Sequence, residues 1–135
     1  MGIRFPSEEW IQALKDQLNA SEAYERSAKD WEGDFIFVAE PDAAYPEHAY
    51  LFLGLYHGKC TDAALIHSQD ERKAEFVISA AFGVWRQVIE GKLDPIQGMM
   101  TRKLKLSGNM MKIMRYPKAA KEIIACCAKV PTDFE

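Results

Sequence analysis

The sequence has little cysteine, no long apolar run and no excess of positive charge, and each absence excludes a class of protein. Its three cysteines, Cys60, Cys126 and Cys127, are odd in number and poorly spaced for a disulfide framework. No apolar run approaches the roughly 20 residues that span a bilayer. The net charge of −3 gives no signal for binding a polyanion. We therefore expect no disulfide scaffold, no transmembrane helix and no nucleic-acid partner.

Secretion and metal-binding patterns are also missing. The first six residues, MGIRFP, lack the apolar stretch of a secretory signal, so we expect a cytoplasmic protein. Cys126 and Cys127 are adjacent, and on a helix their side chains point about 100° apart, which suits joint metal coordination poorly. We therefore expect neither a metal site nor a cofactor, and interpret the cysteines as small apolar residues in a reducing compartment.

The sequence carries no recognisable catalytic motif. It contains no H-E-x-x-H pair, no Walker loop and no nucleophile elbow. His57 and His67 fall at opposite ends of one predicted hairpin. His57 and Cys60 flank its turn, but no third group is available to orient them as a nucleophile and base. We therefore predict no catalytic residues.

The composition is that of a folded domain. Its 135 residues are near the modal size for one domain, and 48% apolar with 27% charged residues is typical of a globular protein. Periodicity indicates an α+β fold with a five-stranded, mainly antiparallel sheet and helices covering one face. Within a single domain, 1–135, we predict N-terminal helices at 1–30, a β-meander at 34–78, helices at 79–100, a strand at 103–107 and a C-terminal helix at 109–128.

Capping and helix-breaking residues mark the ends of the helices. Ser7, Asp94 and Asn109 are good N-caps for three of them. Ser79 is the predicted cap of the helix that follows the fourth strand. Pro117 is expected to kink or split the last helical region, because it lacks a backbone N–H.

Methionine is unevenly distributed. Five of the six methionines lie between Met99 and Met114. Met side chains are unbranched and polarizable, so they adapt to ligands of varied shape. Two interpretations remain open from composition alone: the cluster lines a ligand pocket, or it fills irregular gaps in an ordinary core.

Charge is unevenly distributed as well. The segment from Pro95 to Lys121 carries seven basic residues and no acidic residue, so the remainder of the chain carries a net −10. A basic rim beside an apolar pocket suits a ligand with an anionic head group, and an anionic membrane surface would suit it equally. A solvated basic face without a partner is the third interpretation. The candidate head-group residues are Lys103, Lys105, Lys112 and Arg115.

The C-terminal half carries an ordered set of short motifs. It reads Gly91-Lys92-Leu93-Asp94-Pro95, then Met99-Met100, then the run LKLSGNM at 104–110. This pattern resembles the sterol carrier protein 2 family, and with the preceding strands the resemblance covers roughly residues 30–127. It implies a five-stranded sheet covered on one face by helices, with an apolar tunnel between them. It also implies lipid or sterol-like ligands, bound without covalent chemistry. Asn109 replaces an Asp common in the family, and the sequence given lacks the Ser-Lys-Leu ending of some members.

With this resemblance, the pocket interpretation of the methionines is favoured. The lining that we expect from the helices and the last strand is Met99, Met100, Leu104, Leu106, Met110, Met111, Met114, Val84, Trp85, Val88 and Ile123. The sheet candidates are Phe35, Phe37, Phe52 and Leu53, although the strand pattern does not tell which face looks inward.

Three functions follow from these observations. The first is non-catalytic binding or carriage of a lipid-like ligand such as a fatty acid, an acyl-coenzyme A or a sterol-like molecule. The second is a protein-interaction or homodimerisation module that uses the apolar groove. The third, which we favour least, is an enzyme acting on a hydrophobic substrate with His57 or His67 as base.

Overall fold

A computed structural model describes residues 2–43 and 45–134 and shows an α+β fold. The helices are α1 (Glu8–Ala20), α2 (Glu22–Ser27), α3 (Phe82–Ile89), α4 (Pro95–Met100), α5 (Met110–Met114) and α6 (Pro117–Lys129). The strands are β1 (Ile3–Arg4), β2 (Phe35–Glu40), β3 (Ala49–Tyr56), β4 (Lys59–Ile66), β5 (Phe76–Ala81), β6 (Lys105–Ser107) and β7 (Thr132–Asp133). Among the described residues, no helix is both long and apolar enough to cross a membrane.

The main sheet has five strands in the order β4-β3-β2-β5-β6, with β2 at its centre. Phe35 on β2 pairs with Leu53 on the antiparallel β3 and with Phe76 on the parallel β5. The prediction of a simple meander over 34–78 is therefore wrong in its last step. The chain leaves the edge strand β4 and crosses to the far side of β2, so β5 runs parallel to its neighbour.

The two faces of the sheet bury different side chains because successive residues of a strand point to opposite faces. On the inner face, buried residues of β2, β3 and β5 share one core with buried residues of all six helices. On the outer face, Ile36, Val38, Phe52 and Ile66 form a separate small cluster, which we call the outer cluster. Arg72, from the connection between β4 and β5, lies with its guanidinium carbon 4.6 Å from the centre of the Phe52 ring.

Three of the four predicted helix caps are confirmed. The Ser7 hydroxyl accepts a hydrogen bond from the Trp10 backbone N–H at 3.0 Å, and Asp94 and Asn109 cap α4 and α5 in the same way. The prediction for Ser79 is wrong, because Ser79 lies inside β5, which continues to Ala81, and α3 begins at Phe82. Pro117 stands at the first position of α6 and separates it from α5, as its missing N–H predicts.

The two ends of the chain are held together over the helices. Ile3 of β1 pairs with Thr132 of β7 in a short parallel ladder. The Trp10 indole nitrogen donates to the Thr132 hydroxyl at 2.9 Å, which ties α1 to the same ladder. The apolar face of α1 is thereby fixed over the sheet, with Leu14 and Leu18 almost fully buried.

Candidate ligand-binding cavity

An apolar cavity, which we call the inner cavity, lies between the inner face of the sheet and the helices. Its volume is about 80 Å³. The space between protein atoms in this region totals about 780 Å³ when the part open to solvent is included. It is lined by Phe5, Trp10, Leu14, Phe35, Phe37, Ala39, Leu51, Ile78, Trp85, Val88, Ile89, Pro95, Met99, Leu104, Ile113, Ala120, Ile123, Ile124 and Cys127. None of these side chains is charged, so the cavity has the character of a site for apolar ligands.

Aromatic packing forms the sheet side of the cavity. Phe35 and Phe37 stack with their ring centres 5.6 Å apart, and Trp85 of α3 meets Phe37 edge to face at 5.4 Å. The Trp85 indole nitrogen donates to the Val38 carbonyl at 2.8 Å. This bond fixes α3 to the central strand. It also gives the indole N–H a backbone partner, so Trp85 presents only apolar ring surface to the cavity.

Short helices and a close backbone approach form the other side, which we call the helical wall (α4, α5 and α6). Gly98 brings α4 against the segment before β6, because a Cβ at this position would lie 2.9 Å from the Leu104 side chain. The Leu104 backbone N–H donates to the Gly98 carbonyl at 3.0 Å. Met99 and Leu104 therefore face the cavity side by side.

Partly exposed lining residues mark where the cavity reaches the surface. Phe37, Pro95, Ala120, Ile123 and Ile124 line the cavity and keep intermediate exposure, whereas most of the remaining lining is buried. Four of these five belong to α4 and α6. The opening therefore lies along the helical wall rather than through the sheet.

Seven of the predicted pocket residues line the cavity. Four lie on helices, two on β2 and one in the segment before β6. They are Trp85, Val88, Met99 and Ile123, then Phe35 and Phe37, then Leu104. Their placement follows from strand alternation on β2 and from the inward faces of the helices.

The other predicted lining residues lie elsewhere, and the prediction is corrected for them. Leu106, Met110 and Val84 are partly buried against the core outside the lining, and Leu53 is fully buried in that core. Phe52 points to the outer cluster. Three methionines are exposed: Met100 at 66%, Met111 at 66% and Met114 at 43%.

The physical reason for the methionine error is the shortness of the helices. α4 has six residues and α5 has five, so each presents only one or two side chains inward. On α4 these residues are Pro95 and Met99, and on α5 the residue is Ile113. The neighbouring methionines necessarily point away, because adjacent residues on a helix are about 100° apart.

Sequence reasoning missed residues at both ends of the chain. Phe5, Trp10 and Leu14 enter from the N-terminus, and Cys127 enters from α6. The spacing of Trp10 and Leu14 shows their apolar stripe, but not what it covers. Burial raises the pKa of the Cys127 thiol to about 12, so this side chain is a neutral, small apolar part of the lining.

The predicted head-group cations divide into two pairs. Lys112 is bonded to neighbouring oxygens: its Nζ donates to the Glu32 carbonyl at 2.5 Å and to the Glu75 carboxylate at 2.9 Å. Lys105 lies 3.8 Å from the Glu40 carboxylate. Both cations are thus paired with acidic residues, and their role at a head group stays a prediction. Lys103 and Arg115 are exposed, and neither makes an ion pair within residues 2–43 and 45–134.

The histidines lie away from the inner cavity. The His57 Nε2 is 2.6 Å from a Glu32 carboxylate oxygen, and its ring stacks on Tyr56 at the surface. His67 donates its backbone N–H to the Glu71 carboxylate at 3.0 Å. In the part of the chain that the structure describes, no three His, Cys, Asp or Glu side chains are grouped to hold a metal ion.

Comparison with known proteins gives a family and a set of similar structures. No protein of curated function matches the chain. A crystal structure of sterol carrier protein 2 is 35% identical, with a TM-score of 0.84 over 92% of this chain and 97% of that one. A conserved hypothetical protein from Thermus thermophilus, described as possibly a sterol carrier protein, is 34% identical, with a TM-score of 0.85 over 94% of this chain and 90% of that one.

A more distant structure shares the fold. Palmitated SCP2L2 from Aedes aegypti is 11% identical, with a TM-score of 0.59 over 82% of this chain and 90% of that one. The model of the SCP-2 sterol transfer family matches residues 11–121, which contain the whole main sheet and most of the cavity lining. Because this match covers most of the chain, the protein belongs to the SCP-2 sterol transfer family.

Proposed function

We propose that this protein binds and carries a lipid-like ligand in the inner cavity, without covalent chemistry. The ligand class is a fatty acid, an acyl-coenzyme A or a sterol-like molecule. The observation that carries the proposal is the wholly uncharged lining of a cavity that opens along the helical wall. Membership of a sterol transfer family supports lipid binding in general, and a protein of the same fold is palmitated.

Burial of hydrocarbon supplies the binding energy. Each buried methylene contributes about 0.8 kcal/mol, so a long acyl chain reaches micromolar affinity after the cost of association. The enclosed cavity of about 80 Å³ is smaller than the roughly 150 Å³ that accommodates one benzene in an engineered core. A long chain therefore requires the helical wall to move outward, and we propose that α4 and α5 yield because they are the shortest helices of that wall.

Lys103 and Arg115 are the cations that we propose for an anionic head group. Both are exposed and belong to the ends of the segments that carry Leu104 and Ile113 of the lining. A carboxylate or phosphate at the opening would meet them while the chain stays buried. With the anionic head group held by Lys103 and Arg115 at the surface, its charge is not buried in the uncharged cavity, where the cost would be large.

Carriage requires the opening to meet a membrane, and we propose an anionic one. The exposed Met100, Met111 and Met114 stand on the outside of the helical wall, since Met99 and Ile113 on the same helices face inward. Apolar side chains among Lys and Arg are typical of protein surfaces that bind anionic bilayers. The three cysteines are unpaired, which supports a reducing setting such as the cytosol.

The proposal is tested by closing the cavity. Ala120 of α6 lines it, whereas Ala125 on the same helix is exposed. Ala120→Phe is expected to weaken binding of a fluorescent fatty acid at least tenfold, because the ring fills the opening, and Ala125→Phe is expected to bind as the wild type does. Circular dichroism confirms that both variants fold.

A second test measures the mass of the wild-type protein, as purified, by native mass spectrometry. A co-purified lipid supports the proposal and names the ligand class. If Ala120→Phe and Ala125→Phe bind the fluorescent fatty acid equally well, the ligand lies outside the inner cavity. A clean dimer mass that fatty acids, acyl-coenzyme A and sterols all fail to shift would favour an interaction module instead.

A further inference from the structure

Tyr24 on α2 has a buried hydroxyl that makes no hydrogen bond with any described residue. The side chain is 0% exposed. The three buried indoles, by contrast, are all satisfied: Trp31 donates to the Gly33 carbonyl at 2.9 Å, Trp85 to the Val38 carbonyl at 2.8 Å and Trp10 to the Thr132 hydroxyl at 2.9 Å. Buried polar groups without a partner are rare in proteins and call for a specific cause.

Tyr24 lines a second cavity that adjoins the inner cavity. This second cavity has a volume of about 30 Å³ and shares four lining residues with the inner one: Phe35, Ile113, Ala120 and Ile123. Trp31 and Tyr116 belong to the rest of its lining. The shared side chains are the partition between the two spaces, and two of them, Ala120 and Ile123, belong to α6 of the helical wall.

A water molecule is a poor partner for this hydroxyl. About 15 Å³ suffices for one water, but a buried water needs two to four polar partners. The Trp31 indole is already bonded to Gly33, and the Tyr116 hydroxyl donates to the Asp30 carbonyl at 3.4 Å. The remaining lining is apolar, so a water would have at most the Tyr24 and Tyr116 hydroxyls as partners, the fewest that a buried water needs.

The Tyr24 hydroxyl is kept as a proton donor. Burial, with the Cys60 and Cys126 thiols nearby, raises its pKa. Cys60 is itself buried, which raises the pKa of its thiol to about 11, so it stays neutral and is only a weak acceptor. A stronger acceptor, an oxygen atom, has to come from outside the chain.

We propose that the second cavity is the inner end of the ligand site, where the Tyr24 hydroxyl donates a hydrogen bond to a neutral oxygen of the bound lipid. This inference rests on the proposed function, since the ligand reaches Tyr24 through the inner cavity. The oxygen is a hydroxyl or carbonyl group. A carboxylate is disfavoured there, because no cation lines either cavity and a buried unpaired charge is costly.

The inference predicts selection between ligands of equal length that differ at one end. 1-Decanol and 1-chlorodecane have the same chain, but only the alcohol accepts a strong hydrogen bond. Each is titrated against a bound fluorescent fatty acid in the wild type and in Tyr24→Phe. The variant is expected to bind 1-decanol about threefold to tenfold more weakly, as the loss of one neutral hydrogen bond predicts, and to bind 1-chlorodecane unchanged.

Tyr50→Phe is the matched control. Tyr50 packs against the outer cluster and lines neither cavity, so both probes are expected to bind this variant as they bind the wild type. Tyr24→Phe is expected to melt no lower than the wild type, because it removes an unsatisfied buried group.

The outcomes separate the two proposals. If 1-chlorodecane binds and 1-decanol loses no affinity in Tyr24→Phe, the hydroxyl does not contact the ligand and the inference is overturned, while the proposed function stands. If Tyr50→Phe loses as much alcohol affinity as Tyr24→Phe, the effect is not specific to the Tyr24 hydroxyl and the inference is again overturned. If the fluorescent fatty acid binds the wild type but neither probe displaces it, the inference is overturned and the proposed function stands. If the fatty acid itself does not bind, both proposals fail.

Discussion

The two faces of the sheet bury apolar side chains from the same strands, yet the inner and second cavities both lie on the inner face. On the outer face, Ile36, Val38, Phe52 and Ile66 pack together, and none of them lines the inner or the second cavity. On the inner face, alternate residues of the same strands line open space. Composition does not separate the faces, since both are rich in large apolar side chains.

The difference lies in what covers each face. The outer cluster is contacted by Arg72 and Ala74, which belong to the connection between β4 and β5. Single side chains of this kind can each adjust to the surface that they cover. The inner face is covered by whole helices, of which α4 and α5 are too short to follow the sheet closely. A rigid sheet with a helical cover leaves space that a ligand can fill. We therefore propose that the inner face binds the ligand and that the outer face contributes stability alone.

The largest expected effect comes from deleting one aromatic ring on each face. Phe52 is 5% exposed and Phe35 is 6% exposed, so replacing either by alanine is expected to lower the free energy of unfolding by about 3–5 kcal/mol. Phe52→Ala is expected to leave fatty acid affinity unchanged. Phe35→Ala is expected to shift the preferred chain length upward, because Phe35 lines both cavities.

Urea unfolding and fatty acid titrations at low temperature measure both effects. A protein stable by about 10 kcal/mol, the middle of the usual range, keeps about 5 kcal/mol or more after either change and stays folded. Altered chain-length preference in Phe52→Ala, or an unaltered one in Phe35→Ala, would contradict the division of roles between the two faces.

The second effect concerns the charge on the helical wall. Replacing Lys103 and Arg115 by glutamine is expected to weaken binding to vesicles containing phosphatidylserine about 30-fold, since each cation near an anionic surface contributes about 1 kcal/mol. Lys29→Gln with Lys73→Gln is the control, because both lysines are exposed and outside the basic segment. Vesicle sedimentation at fixed salt measures the binding.

Equal losses in the two double variants would mean that net charge alone matters and that the helical wall is not the membrane-facing surface. Equally strong binding to vesicles of neutral lipid would show that charge plays no part. Either result would separate membrane contact from the cavity opening.

The sequence reveals local features of this structure better than those set by distant contacts. Ser7, Asp94 and Asn109 indicate helix starts because a cap acts within three residues. The period of two places Phe35 and Phe37 on one face, but it does not say which face the helices cover. The parallel pairing of β2 with β5 depends on a crossover that no local pattern encodes.

The candidate site follows the same rule. Met99 and Met100 are neighbours of one residue type, and only the packing of α4 against Leu104 turns the first inward and the second outward. Tyr24 gave no signal in the sequence, because a tyrosine in a short amphipathic helix is ordinary. Its missing hydrogen-bond partner is a property of the folded structure.

The smallest expected effect belongs to the cover of the outer face and depends on pH. The Arg72 guanidinium donates to the Asp62 carboxylate at 2.7 Å, and this hydrogen bond lowers the pKa of Asp62. A lowered folded-state pKa stabilises the protein above the unfolded value of about 3.9, and that stabilisation is lost as the pH falls through the folded value. Because both side chains are partly exposed, the contribution is expected to stay below about 1 kcal/mol.

Asp62→Asn removes the titrating group, so between pH 5 and pH 2.5 its stability is expected to fall by slightly less than that of the wild type. Asp70→Asn, an exposed change in the same connection, is expected to follow the wild type across this range. Urea unfolding at each pH gives the comparison. If Asp62→Asn also altered fatty acid affinity at neutral pH, the cover of the outer face would be coupled to the cavity, and the two faces could not be treated as independent.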